Sequence, residues 1–164
     1  VVRGMVKIGA ITIHGDELVL GLAGAGEPFG DPFSSVDTYE ARTIADTDLL
    51  CFSCPDIRDD PQLTAALLQA VTHRHRQSQA LLALMGLRRV EERLRGFLEL
   101  LAMEYGQPCD EGLRIQVKLT HQEMASALGT TRVTVTRVMG MLREEGWIRL
   151  DPERRLIVSH LPRR

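Results

Sequence analysis

The sequence predicts an α+β chain: an N-terminal β-roll, one long dimerisation helix, and a C-terminal winged helix-turn-helix. Three observations carry this reading. Residues 1–57 interrupt short apolar segments with Gly and Pro, the mark of closely spaced strands and tight turns. Residues 62–85 contain neither Gly nor Pro and are long enough for one continuous helix. Residues 120–137, "THQEMASALGTTRVTVTR", set two capping signals around a Gly, the layout of a helix-turn-helix. The corresponding segments are 1–58, 59–88 and 89–164.

Composition narrows the function classes. A chain of 164 residues with 44% apolar and 26% charged residues can bury a core. Its longest apolar run, residues 79–87, falls short of the ~20 residues that span a bilayer. The start carries no secretory pattern, so a cytoplasmic protein without a membrane partner is expected. The net charge of −2 hides an asymmetry. Residues 1–112 carry 10 Lys and Arg against 17 Asp and Glu, whereas residues 113–164 carry 10 against 5. A basic final third suggests a polyanion-binding module.

Taken in order, "MVKIGAITI" and "LVLGLAG" read as strands around a turn at His14, Gly15, Asp16 and Glu17. "EPFGDPF" follows, and "ARTIADTDLLCFS" supplies a further pair of short strands. Cys51 and Cys54 have C-x-x-C spacing, but no second pair completes a tetrahedral metal site. Buried thiols in an extended segment are expected there. His73 and His75, two apart on a helix, face different sides and share no metal.

Asp60 and Pro61 suit the cap and first position of the long helix, 61–86. Its apolar residues at 63, 67, 70, 81, 84 and 85 lie close to a heptad rhythm. The polar middle, "HRHRQSQ", fits either a solvated face or a dimer seam that is polar where a signal or partner is read. A second helix, 90–105, puts Leu94, Phe97, Leu98 and Leu101 on one face and ends at Gly106 and Pro108. "LRIQVKL" is then a short strand.

Thr120 and Glu123 form a capping box, Gly129 stops that helix, and Thr130 or Thr131 caps the next near Arg132. The β-branched alternation of "TTRVTVTR" resembles a strand, yet a strand would split its apolar set. At about 100° per residue, Val135, Val138, Met139 and Leu142 form one helical stripe. Val133 then points outward beside Arg137, Gly140 and Thr136. Arginine bonds a guanine edge in a bidentate way, and an apolar side chain meets a thymine methyl. Arg132, Val133, Thr136 and Arg137 are therefore the base-reading candidates. Thr130, Thr131, Thr134 and His121 are candidates for the DNA backbone. "GWIRLDPERRLIVSH" reads as a β-hairpin wing that carries Arg149, Arg154 and Arg155 toward that backbone.

This order of parts resembles the cyclic-AMP receptor/FNR superfamily of bacterial transcription regulators. "GLRIQVKLTHQEMASALGTTRVTVTRVMGMLREEGWI" is most similar to the cyanobacterial global nitrogen regulators. The resemblance implies a homodimer through helix 61–86, double-stranded DNA as partner, a palindromic GTA-N8-TAC-like site, and RNA polymerase as a further partner. Arg132, Val133 and Arg137 are the base-reading set it implies.

The sensor half departs from the family pattern. "FGDPF" resembles the phosphate-binding turn and places Phe29, Gly30 and Asp31 at an effector pocket with Tyr39. Cyclic-nucleotide binders carry Arg-Ser or Arg-Thr before an Ala, where this chain has Tyr39 and Glu40 before Ala41. Glu40 would repel a phosphate, so cyclic AMP is disfavoured. By resemblance to the nitrogen regulators, which bind 2-oxoglutarate, Arg74 keeps an arginine, Gln79 replaces a glutamate, and Asp37 stands near a second arginine's place. An unidentified small-molecule effector, or none, is expected. Relatives carry several strands before "RGMVKIG", so the roll is either reduced or partly outside this sequence.

No nucleophile–base pair, carboxylate pair or metal set supports an enzyme. The other class to weigh is a β-roll ligand- or protein-binding module acting mainly through partners, with DNA contact secondary.

Overall fold

Alternating apolar residues make β1 (Val6–Ile11) the centre of an antiparallel sheet, with β2 (Glu17–Ala23) and β3 (Tyr39–Thr43) on either side. The computed structural model describes residues 1–159, the side chain of Asp31 excepted. Gly15, at φ +83°, closes the β1–β2 turn, and the pairing shifts register between Ile8 and Gly9. Val6, Ile8 and Ala23 are buried on one face beneath Leu20, Phe29 and Tyr39. Lys7 is also buried, its ammonium 2.7 Å from Glu17. Burial of a lysine is tolerated because that partner offsets its desolvation.

Of the two strands expected in residues 41–53, only the first forms. β3 ends at Thr43, and beyond it Asp48 makes one isolated bridge with Arg3. Thr47 donates its hydroxyl to the Ala45 carbonyl (2.7 Å), a local bond that competes with a strand ladder.

The expectation for the cysteines is also corrected. Cys54 opens a short helix, α1 (Cys54–Asp59), and both Cys51 and Cys54 are exposed. Ser53 accepts from the Asp56 N–H (3.2 Å) while Asp56 accepts from the Ser53 N–H (3.0 Å). Together with Pro at the first turn, this capping box turns the segment helical.

The long helix, α2, runs Pro61–Met85, and Asp60 accepts from the Gln62 and Leu63 N–H groups (2.8 and 3.1 Å). Among its residues only Gln77 is buried. No described helix is long and apolar enough to cross a membrane. The chain divides within α2 into two compact units, 1–80 and 81–164.

In the second unit, α3 (Val90–Tyr105) buries Leu94, Phe97, Leu98, Leu101 and Ala102. Burying each large side chain contributes about 1.5–3 kcal/mol. β4 (Gly106–Cys109) and β5 (Gly112–Ile115) follow, then α4 (His121–Ala127), α5 (Arg132–Glu144), β6 (Ile148–Leu150) and β7 (Leu156–Val158). Their four-stranded sheet has the order β4-β5-β7-β6. Gly106 and Pro108 do end α3, but they belong to a strand rather than a loop. A Cβ at Gly106 would lie 2.0 Å from the Ala102 carbonyl, so only glycine lets the helix pass directly into β4. Pro108 is tolerated because β4 is an edge. The strand foreseen in "LRIQVKL" stops at Ile115.

Arg95 joins α3 to the end of α5. It bonds Glu91 (3.1 Å) and Glu145, and its guanidinium lies 5.2 Å from the Trp147 ring centre. Replacing it removes a cation–π contact and two ion pairs that are partly screened by solvent. Arg95→Ala should cost about 1–2 kcal/mol of stability, read as a lower denaturant midpoint. The loss should shrink at high salt; an unchanged midpoint would show that the clamp is idle.

Candidate nucleic-acid interface

The interface is assembled from two capped helices and a glycine turn. Thr120 accepts from the Glu123 N–H (3.1 Å), and Glu123 accepts from the Thr120 N–H (2.7 Å). Gly129, at φ +57°, turns the chain, and Thr130 N–H returns to the Ala125 carbonyl (3.0 Å). Thr131 accepts from the Thr134 N–H (3.2 Å) and starts α5. Met124, Ala125, Ala127 and Leu128 are buried, as are Val135, Val138, Met139 and Leu142 on α5.

That burial leaves the other face of α5 to solvent. Arg132, Thr136 and Arg137 are exposed, and Val133 is 78% exposed. Neither Arg132 nor Arg137 has an ion pair among the described residues; Arg137 only lies 3.7 Å from the Met141 sulfur. Both guanidinium groups are therefore available to a polyanion beside an exposed apolar side chain.

Thr136 is engaged differently from the other three. Its hydroxyl donates to the Arg132 carbonyl (2.9 Å) and lies 2.8 Å from His121 Nδ1. Since the hydroxyl proton is already given, Nδ1 is the donor, and Nε2 is the remaining polar atom of the ring. Thr136 thus fixes His121 against α5, a tie that helical spacing alone does not reveal. Thr130 and Thr134 are half-buried, and the Thr134 hydroxyl lies 2.9 Å from that of Thr131.

The wing pairs Ile148 with Val158 and Leu150 with Leu156. Its turn is held by Asp151, which accepts from the Arg155 N–H (2.7 Å), and forces Arg154 to φ +62°. The three wing arginines part company here. Arg155 turns back to Glu153 (2.7 Å) and Gln116 (3.2 Å), so its guanidinium is already engaged within the wing. Arg149 lies 3.7 Å from Glu111, while Arg154 is exposed and has no ion pair among the described residues.

In the first unit a cavity of about 540 Å³ is lined by Phe29, Tyr39, Arg74, His75 and Ser78, with Ile8 and Leu20 behind. Arg74 donates to the Leu22 carbonyl, and the buried Gln77 accepts from the Leu22 N–H (3.2 Å). The predicted pocket residue Gln79 is exposed and lines no part of it, a correction that helical phase explains: Gln77 takes the inward position, and the exposed Ser78 lies at the edge of the cavity. Gly30 is not among the lining residues, but its N–H donates (3.2 Å) to the hydroxyl of Tyr39, which is. The Asp31 side chain lies outside the described residues. Glu40 is corrected too. It alternates away from Tyr39 on β3, is exposed, and sits 3.5 Å from Arg42, so it cannot repel a ligand in the cavity.

Comparison with known proteins agrees with this construction. A model described as the Crp-like helix-turn-helix domain matches residues 92–163. The global nitrogen regulator of a Nostoc species is 30% identical over 98% of this chain and 75% of its own length. Regulatory protein CysR of Synechococcus elongatus is 33% identical over 96% of this chain and 81% of its own. A solved CRP-family regulator from Thermus thermophilus, 22% identical, matches the fold with a TM-score of 0.76 over 97% of this chain and 80% of its own. The relatives are transcriptional regulators, and the chain belongs with them to the CRP/FNR family of DNA-binding helix-turn-helix transcription regulators.

Proposed function

We propose that the protein works as a homodimer that reads a palindromic GTA-N8-TAC-like site through the exposed face of α5. One observation carries the reading: an outward Val133 between two unpaired arginines at a capped helix start. Arg132 and Arg137 reach guanine edges, Val133 meets a thymine methyl, and the first-turn N–H groups of α5 face phosphates. Thr131, Thr134, His121 and Arg154 hold the backbone, with Thr136 positioning His121.

The dimer reading rests on α2. Leu68 and Leu82, two heptads apart, are 67% and 73% exposed on a helix that buries almost nothing else. Val71 and Met85 extend the same seam in heptad register, and His75 and Ser78 give it a polar middle. A partner helix would cover this apolar face. Two recognition helices would then enter successive major grooves about one turn apart. Promoter-bound dimers would act through RNA polymerase.

The cavity of the first unit is the place for a small-molecule effector. Its Arg74 favours an anionic group, but part of that guanidinium is committed to Leu22. Cyclic AMP stays disfavoured because Tyr39, on the cavity wall, stands where cyclic-nucleotide binders carry the Arg that pairs with the phosphate.

Selection of bound sites from random duplex DNA should enrich the GTA-N8-TAC pattern, with affinity falling steeply as salt rises. Arg132→Ala and Arg137→Ala should each cost about 1–3 kcal/mol at the cognate site and flatten its sequence preference. An enriched motif unchanged in both variants would sink the base-reading assignment. A stable protein partner with no enriched motif would favour a module acting through partners. Independently, Leu68→Lys with Leu82→Lys should give a monomer in sedimentation equilibrium and lose palindrome binding; a persistent dimer would move the interface elsewhere.

A further inference from the structure

The second unit contains a cavity of about 330 Å³ that shares His121, Thr136 and Arg154 with the proposed DNA interface but is not lined by the base-reading Arg132, Val133 and Arg137. It opens between the start of α4, the wing-facing side of α5 and the β6–β7 hairpin. Its floor is apolar: Met124, Met139 and Ile148 are buried, with Leu150 and Leu156 forming the wing side. Its rim is cationic. Arg143 and Arg154 line it without ion pairs among the described residues, and Arg149 has only the 3.7 Å contact with Glu111. Among the described residues no carboxylate lines it.

An apolar floor closed by guanidinium groups complements a molecule with a hydrocarbon body and one planar anionic end. We propose that this cavity binds an amphipathic carboxylate of the medium-chain fatty-acid class. The chain lies on Met124 and Met139, whose unbranched thioethers adapt to a flexible alkyl chain. The carboxylate pairs with Arg143 and Arg154, since a guanidinium fork matches a carboxylate bidentately. The volume lies at the lower end of the ~300–1,000 Å³ typical of ligand sites, which favours a short molecule. The polar wall is satisfied in part, because His121 Nδ1 and the Thr136 hydroxyl already bond each other (2.8 Å). Gly140 leaves the entrance open, with nothing within 4 Å of where its Cβ would stand. A bound acid would neutralise cations beside the exposed face of α5 and so weaken DNA binding.

Calorimetric titration of the whole chain with decanoate below its micelle concentration, without DNA, tests the proposal separately from DNA reading. Decanoate should bind saturably, one per chain, and decanol at least tenfold more weakly. Arg143→Ala with Arg154→Ala, both on exposed residues, should weaken decanoate at least tenfold. Gly140→Leu, which extends a side chain into the opening on an unstrained helical backbone, should do the same. Absence of saturable binding, equal affinity for decanol, or binding that either variant leaves unchanged overturns the proposal.

Discussion

The burial of Val135, Val138, Met139 and Leu142 on one side of α5 is the constraint on which the DNA-binding unit depends. Two β-branched residues, a methionine and a leucine share a face only if the segment is helical. Once they pack, Val133 has nowhere to go but solvent. The surrounding features hold that single orientation: Thr131 sets the start of α5, Gly129 sets its angle to α4, and Arg95 ties its far end to α3. Rotating α5 by one residue would bury Arg132 or Thr136, at the cost of an unpaired buried polar group.

Electrostatically, the basic excess of residues 113–164 is not one undifferentiated patch. Several arginines serve the fold. Arg114 lies 3.8 Å from Asp151 at the wing turn and Arg155 ties the wing to Gln116, while Arg93, from outside this stretch, caps α4 by donating to the Leu128 carbonyl (2.7 Å). Arg132, Arg137, Arg143 and Arg154 remain, all exposed and without ion pairs among the described residues, together with the exposed Arg149, whose one ion-pair contact is the 3.7 Å approach to Glu111. Net charge counts both sets alike, whereas only the second can neutralise phosphates or a ligand carboxylate.

In the first unit, polar contacts rather than a large apolar core join the sheet to α2. Gln77 and Arg74 both engage the backbone of Leu22, and the ligand-sized cavity lies beside that junction. Arg74 thus holds the Leu22 carbonyl and lines the cavity with the same guanidinium-bearing side chain.

Local physics determined much of this protein from sequence alone. Capping boxes, glycine turns and helical periodicity act over three or four residues, so Thr120, Gly129, the buried stripe of α5 and the outward Val133 were all legible there. The family was legible for the same reason, since its signature is a run of such local signals. Tertiary structure decided what depends on distant partners: that Arg155 answers to Gln116, that Thr136 holds His121, that Gln77 rather than Gln79 faces the sheet, and that Glu40 turns away from the cavity. Those outcomes hinge on the register between elements and on which groups compete for one cation. Neither is written in the spacing of any single segment.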